Sequence, residues 1–196
     1  MRFGVMFDPS YSWFVANQDN IESATGNAGL NGGLVIDNYF AENYAFSTGL
    51  SIATKSATLG YLDSLLVTIN SKDQTLDKPQ LQYRAQYIQL PVGLKFKTRE
   101  FGYVTFFVQL GFTSGIKIKA NKTDISAKTF EKADAMDDIK LFQLAYHVGG
   151  GIEYSLGGNT AIMAGLVFDN SFTDFFTDAG YNANLNTLAL RAGLLF

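Results

Sequence analysis

Apolar and polar side chains alternate with a period of two residues along most of the chain. In residues 88–97, every second position from Ile88 onward is large and apolar, whereas the positions between them hold Gln, Pro, Gly, Lys and Lys. The same alternation runs through residues 104–113 and 188–196. Because successive side chains of a β-strand point to opposite faces, this period predicts strands with one apolar face and one face of small, polar and occasionally charged residues.

Eight segments carry the pattern, at about residues 2–14, 28–40, 44–59, 80–97, 102–119, 139–155, 160–169 and 186–196. Tight connections between them alternate with long polar ones without exception; the long ones lie at 18–27, around 70–78, at 121–138 and at 170–185. Outer-membrane barrels alternate short periplasmic turns with long external loops in this way, and their strands cross with ~9–11 residues each. We therefore predict an all-β fold, an eight-stranded antiparallel up-and-down transmembrane β-barrel, as one domain over residues 1–196 with both termini periplasmic.

The alternation alone does not say which face lies inside. A soluble, ligand-binding barrel of the lipocalin kind has an apolar interior and a polar exterior, and it stays open as an alternative. Two features favour the membrane: the strand glycines lie on the less apolar face, and the apolar rows lack Lys and Glu. Aromatic residues also collect near the tight turns, where a girdle at the membrane interface is expected: Tyr39, Phe40, Tyr44, Phe46, Phe96, Phe101, Tyr103 and Tyr154.

Composition and charge exclude several other classes. The formal net charge is -3 and the fifteen Lys and Arg are scattered, so we expect no nucleic-acid partner. The chain has no Cys, which excludes disulfide scaffolds and thiolate metal sites. No apolar run is long enough for a membrane-spanning helix, and no signal peptide is visible. An exported protein needs such a leader, so we expect outer-membrane localisation after removal of a signal peptide that this numbering does not include.

Residues 87–98, with the sequence YIQLPVGLKFKT, resemble the Y-[IL]-x-[IL]-P-[LV]-x-L-K strand of PorT-like outer-membrane barrels from Bacteroidota. Residues 32–50 are similar to the second and third strands of that family, and residues 188–196 to its last strand. The resemblance implies an eight-stranded barrel in the outer membrane. Some members belong to the type IX secretion apparatus, and the family has no catalytic signature to carry over.

Six polar residues fall on the predicted inner face and form a candidate interior polar network: Gln89, Lys95, Gln109, His147, Glu153 and Arg191. They could line a selective pore, but eight strands leave an interior that side chains fill, so we expect the charges to pair with one another. His147 is the only histidine. It could act as the general base of a lipid-modifying enzyme, yet no Ser stands out as its partner, and we expect polar neighbours to satisfy it.

Two loops contain clustered functional groups. Residues 119–138 are rich in Lys, Asp and Glu but lack calcium-loop spacing, so we expect solvated charge there, and no metal or cofactor. The second loop interleaves aromatic and acidic residues, and it could form a partner-binding patch or a lipid-facing rim; its candidate residues are Phe172, Asp174, Phe175 and Phe176.

The leading functional hypothesis is a structural or interaction protein of the cell envelope, and possible membership of a secretion or other envelope complex follows from the resemblance. Its expected partners are outer-membrane lipid and proteins reached through the external loops or within such a complex. We expect it not to be an enzyme. The alternatives are a small-solute channel, a lipid-modifying barrel enzyme that uses His147, and the soluble ligand-binding barrel.

Overall fold

The computed structural model describes residues 1–16, 21–62, 64–69, 72–177 and 183–196. No helix among these residues is long and apolar enough to cross a bilayer. The described residues form eleven strands: β1 (Arg2–Ala16), β2 (Ile21–Ala41), β3 (Tyr44–Tyr61), β4 (Leu65–Ile69), β5 (Lys72–Leu76), β6 (Gln80–Lys97), β7 (Val104–Asp124), β8 (Ala133–Asp134), β9 (Phe142–Gly157), β10 (Thr160–Ser171) and β11 (Ala183–Leu195).

Eight of these strands close into one antiparallel barrel: β1, β2, β3, β6, β7, β9, β10 and β11. Each pairs with the barrel strand before and after it in the chain, and β11 returns to pair with β1, where Leu195 lies opposite Gly4. The predicted fold class is therefore confirmed. The closed sheet gives each barrel strand a hydrogen-bonded neighbour on both sides, as a bilayer requires.

The strands are longer than predicted on the side of the long connections. β2 begins at Ile21 and β7 continues to Asp124, so parts of two expected loops are strand. β4 and β5 form a separate hairpin within another of them, and β8 pairs with the outer end of β7. Expected loop residues 18–20, 70–71 and 178–182 lie outside the described residues.

The tight turns join the barrel strands at the opposite end. Two of them place glycine at positive φ, at Gly102 (68°), Gly157 (104°) and Gly158 (61°). These backbone angles are strained for residues that have a Cβ atom. The glycines thus permit the short connections that bring consecutive strands into register.

The apolar face of each strand is the exposed one. On β7, for example, Phe106, Val108 and Leu110 are exposed. The alternate positions Thr105, Phe107 and Gln109 are buried. Buried side chains elsewhere in the barrel include many polar, charged and small ones. This is the reverse of the distribution expected for a soluble barrel, and an apolar outer wall of this kind matches lipid.

Aromatic side chains form a girdle near the tight turns. Tyr44 contacts Phe40 and Phe96, with ring centroids 6.3 and 5.6 Å apart, and Tyr103 lies 6.0 Å from Tyr154. Tyr39 does not belong to this girdle. Its hydroxyl accepts a hydrogen bond from Lys97 inside the barrel, because Tyr39 shares the inward face of β2 with Asp37.

A second aromatic series lies on the outer wall towards the long connections, and of its members the sequence indicated a lipid-facing rim only at the loop that contains Phe172. Neighbouring rings in this outer girdle have centroids between 5.3 and 6.5 Å apart. It runs across Tyr11, Trp13, Phe168, Tyr146, Phe172 and Phe112. The two girdles bound the apolar wall, as at the two interfaces of a membrane barrel.

The apolar wall predicts a depth-dependent cost for an introduced charge. Leu110 lies in the middle of the exposed row of β7, whereas Leu156 lies next to a tight turn, and the two are 45% and 54% exposed. We expect Leu110→Arg to lower the free energy of unfolding by about 2–4 kcal/mol and Leu156→Arg by about 0–1 kcal/mol, because only the first places a guanidinium near the bilayer midplane. Denaturant unfolding in phospholipid vesicles measures both. Equal losses would contradict the membrane placement.

Candidate functional site

A cluster of five charged side chains spans the inside of the barrel near the tight turns; we refer to Arg2, Asp37, Lys95, Lys97 and Glu153 as the lower network. Lys95 lies at its centre and is 1% exposed. The Lys95 ammonium is 2.6 Å from a carboxylate oxygen of Asp37 and 2.6 Å from one of Glu153. It therefore bridges acids that β2 and β9 carry on different sides of the interior.

Glu153 also receives the other two cations of the lower network. Its second carboxylate oxygen is 2.6 Å from the Lys97 ammonium and 2.9 Å from the Arg2 guanidinium. Arg2 in addition donates to the backbone carbonyl of Asn159 in a tight turn (2.8 Å), and Ser47 donates to Asp37 (2.7 Å). Three cations thus surround two carboxylates, and hydrogen bonds occupy much of the remaining capacity, as buried ions need.

A second set of contacts, the central network, crosses the interior between the lower network and the long connections. Arg191 on β11 donates from Nη2 to Asp8 on β1 (2.9 Å) and from Nη1 to Gln109 on β7 (3.4 Å). Asn31 on β2 donates to the same Asp8 carboxylate (3.2 Å). Asp8 is fully buried, and this arrangement gives its charge a cation and an amide as partners.

His147 extends the central network across the interior. Its Nδ1 lies 3.0 Å from the Thr113 hydroxyl, and its Nε2 lies 3.4 Å from the Gln109 amide nitrogen. The imidazole is 3% exposed and faces the inside of the barrel. A lipid on the outer wall does not reach it there, whereas a lipid-modifying enzyme needs its base at the rim or mouth of the barrel.

Gln89 lines a small internal cavity in the middle of the barrel, together with Lys55, Asp169 and parts of the central network. The cavity has a volume of about 30 Å³, which is space for water and not for an organic solute. The buried Lys55 ammonium interacts electrostatically with the Asp169 carboxylate beside this cavity. The cavity is therefore polar but closed to larger molecules.

Apolar side chains fill the barrel above the central network, and we call this cluster the outer plug. Barrel strands and the loops between them both contribute, and its largest members include Phe14, Leu59, Tyr61, Leu81, Tyr83, Tyr87, Ile139, Phe175 and Phe176. Phe14 contacts both loop phenylalanines, with ring centroids 4.9 and 5.7 Å apart. Sequence reasoning missed this plug because outer-membrane barrels are expected to have a polar interior.

The loop at residues 125–141 is tied to the barrel by two lysines of β7. The Lys117 ammonium donates to the backbone carbonyls of Met136 and Ile139, and the Lys122 ammonium lies 2.6 Å from a carboxylate oxygen of Asp138. These contacts hold the loop over the mouth of the barrel. The expectation of solvated charge over residues 119–138 is therefore wrong for Lys122, which is buried.

Asp124 is the last residue of β7, directly before the same loop, and it lies beyond Ile118, the last apolar residue of the outer row of that strand. Its carboxylate accepts hydrogen bonds from Ser126, Ala127 and Thr129 at 2.7 to 3.3 Å. Burial opposes ionisation, but these hydrogen bonds outweigh it and lower the pKa of Asp124 below its ordinary value. Within the described part of the chain, no group of three or more metal-ligating side chains comes together.

The predicted partner-binding loop is divided between two environments. Phe175 and Phe176 are each 4% exposed and belong to the outer plug, whereas Phe172 is exposed and belongs to the outer girdle. Asp174 lies 3.4 Å from the Lys140 ammonium at the surface. An exposed patch of all three aromatics does not form, because the chain turns inward after Phe172 and the two following rings pack against Phe14.

The lower network predicts a large effect from loss of its shared acid. Glu153→Ala leaves Lys95, Lys97 and Arg2 with only the Asp37 carboxylate, and we expect it to lower the free energy of unfolding by about 3–5 kcal/mol, because buried cations lose their partner. Denaturant unfolding of the protein in lipid vesicles measures the change.

Asp174→Ala is the matched control, since it removes an acid from the exposed pair with Lys140. We expect it to cost about 0–1 kcal/mol, because water screens that pair. If Glu153→Ala unfolded at the same denaturant concentration as the wild type, the interior network would not stabilise the barrel.

Solved structures of similar fold are small outer-membrane barrels. Neisserial surface protein A (NspA) matches with a TM-score of 0.53 and 11% identity, over 98% of this chain and 95% of that one. Ail, the attachment invasion locus protein of Yersinia pestis, matches with a TM-score of 0.49 and 16% identity, over 100% and 98%. At these identities the likeness concerns the fold alone. No curated protein matches the sequence significantly.

The expectation that the chain is not an enzyme is wrong as an inference from the barrel. The outer membrane protease OmpT from Escherichia coli matches with a TM-score of 0.48 and 11% identity, over 100% of this chain and 93% of that one. The outer membrane enzyme PagL matches with a TM-score of 0.37 and 7% identity. Small barrels therefore include enzymes, and neither match transfers an activity to this chain.

The sequence itself matches a family model along most of its length. The model describes an outer membrane protein β-barrel domain, and it covers residues 2–186. The closed eight-stranded sheet, the apolar outer wall and the two aromatic girdles agree with that match. The predicted outer-membrane localisation is confirmed, and the chain belongs to the outer membrane protein β-barrel domain family.

Proposed function

We propose that this outer-membrane barrel has a filled, non-conducting interior and acts as a structural or interaction protein of the cell envelope. The observation that carries the proposal is the occupation of the interior at three successive levels. The lower network, the central network and the outer plug each contain side chains from different sides of the barrel.

Each level obstructs a solute in a different way. Passage through the lower network would separate Lys95 from Asp37 or Glu153, which leaves buried charges without partners. The outer plug would have to release Phe175 and Phe176 from the mouth. A small-solute channel needs a continuous path, and the cavity between these levels has space only for water.

The loops that cover the mouth supply the interaction surface in this proposal. Lys117 and Lys122 tie residues 125–141 to the barrel, so a partner would meet a preformed surface and lose little entropy in ordering it. Exposed apolar side chains on this side, such as Ile125, Met136 and Leu141, offer contact area.

Membership of a secretion or other envelope complex is a further part of the proposal. It is supported by the resemblance of residues 87–98 to the PorT-like strand. Residues 87–97 of this stretch form the second half of β6 and include Lys95 and Lys97 of the lower network. The resemblance therefore concerns residues that stabilise a barrel interior.

A filled interior predicts that the barrel does not conduct. We expect the wild-type protein in planar bilayers to give no stepwise current, because no level of the interior leaves a continuous aqueous path. A wide porin incorporated under the same conditions serves as the positive control. Reproducible unitary steps from the wild-type protein would support the channel instead.

The proposed interaction surface predicts cross-linking from the loop side. Because the chain has no Cys, a single Lys128→Cys variant carries a cross-linker at one place only, on an exposed loop. We expect discrete cross-linked species in native membranes, and none from Leu156→Cys beside a tight turn. The same products from both positions, or none from Lys128→Cys, would contradict a partner at the loops.

A further inference from the structure

A groove on the outer wall, outside the barrel interior, is lined by eight polar residues of which none is acidic. Three are cations: Arg84 on β6, Lys119 on β7 and Lys132 in the loop that follows β7. Gln86, Asn121 and Thr123 lie among them. The groove has a volume of about 360 Å³, which falls in the range of ligand sites.

A β-bulge in β7 turns two residues of this groove, Lys119 and Asn121, to the outer face. Gln86 pairs with Lys119 and Tyr87 pairs with Lys117, so Ile118 is an extra residue in β7. Before the bulge the even-numbered side chains of β7 face outward, and after it the odd-numbered ones do, which turns Lys119 and Asn121 to the outside. Arg84 lies opposite Asn121 on the neighbouring strand.

The third cation is held against the wall by the backbone. The amide of Lys132 donates to the Thr123 hydroxyl at 3.1 Å, and the next residue pairs with Lys122. The loop thereby returns to the outer face of β7 and brings Lys132 to the groove. Glu131 precedes Lys132, and Asp134 pairs with the groove residue Asn121 on β7, but neither carboxylate lines the groove.

The three cations have no ionic partner within the described part of the chain. None of them takes part in a salt bridge there, whereas Lys122, on the inward face, pairs with Asp138. Three unpaired cations in one groove repel one another, and a bound anion would relieve this repulsion.

The groove lies directly beyond the apolar wall. Ile88 and Ile116 face each other in the last paired apolar row, and the exposed Ile118 follows in the bulge. Gln86 and Lys119 form the next pair, about 7 Å further along the strands. The outer girdle lies on β1, β9 and β10, and its ring on β7, Phe112, contacts Phe172 and comes before Ile116 along the strand. Beyond the last apolar row, the outer face of β6 and β7 therefore carries polar groups and cations.

We propose that this groove binds the phosphate group of a phosphorylated lipid headgroup in the external leaflet of the outer membrane. The long connections face outward in barrels of this architecture, so the groove lies at the depth of the external headgroups. Arg84 offers a guanidinium fork to phosphate oxygens, and Lys119 and Lys132 add two point charges. The lipid chains would lie along the exposed apolar rows of β6 and β7.

The test is binding of short-chain phosphatidic acid to the full-length protein in zwitterionic detergent, measured by native mass spectrometry. The same titration with phosphatidylcholine of equal chain length shows what the chains contribute without a phosphomonoester. We expect preference for phosphatidic acid in the wild type, and an apparent Kd at least roughly fivefold higher in the Arg84→Gln, Lys119→Gln, Lys132→Gln variant, since each cation near a lipid surface contributes about that factor.

The matched control is the triple variant Lys78→Gln, Lys128→Gln, Lys140→Gln. It removes three cations that lie at the loop end of the barrel but do not line the groove. It should keep the wild-type preference, and Lys132→Gln alone should show a partial loss without any change in the barrel strands. Heat-dependent gel mobility confirms that each variant is folded.

Three results would overturn the proposal. The first is equal affinity of the wild type for the two lipids, and the second is equal loss in the groove variant and its control. The third is displacement of phosphatidic acid by an equimolar amount of inorganic phosphate, which would assign the groove to a free anion. Displacement only at large excess of phosphate agrees with a lipid headgroup.

Discussion

The need to pair every backbone amide and carbonyl within the protein determines the rest of this structure, because lipid offers no partner for them. The ladder between β11 and β1 completes that pairing, and closure with eight strands makes the interior narrow. Neighbouring strands approach so closely that a Cβ atom on Gly151 would lie 2.1 Å from the Ala164 carbonyl oxygen. Small residues on the inner face are therefore a condition of closure, and they leave room for a few long side chains.

Those long side chains are charged, and the narrow interior forces them together. Burying a cation or a carboxylate costs several kcal/mol unless the charge is paired and hydrogen-bonded, so the positions of opposite charges must match across the barrel. The structure meets this condition with shared partners, since Glu153 serves three cations and Asp8 serves Arg191 and Asn31. A lipid-facing wall thus makes the interior ion networks part of the stability of the fold.

Strand number, tight turns and the direction of the faces could be predicted from sequence because they depend on local periodicity. The partners inside the barrel could not. Asp37 and Lys95 are 58 residues apart and Asp8 and Arg191 are 183 apart, so their contact depends on the register of several strands. Tyr39 follows Asp37 by two residues on the same strand, so its inward position could have been predicted from the alternation of the two faces. Phe175 and Phe176 could not, since their burial requires the loop to fold into the mouth.

The bulge at Ile118 connects the interior to the outer wall. By adding one residue to β7, it changes which side chains face inward beyond that point, so that Lys122 and Asp124 turn inward and Lys119 turns outward. The inward pair fixes the loop that covers the mouth, through Asp138 and through the turn at Ser126. The outward Lys119 completes the cation groove with Arg84. Without the extra residue, these side chains would exchange faces, and a buried loop anchor and an exposed anion site could not both form on one strand.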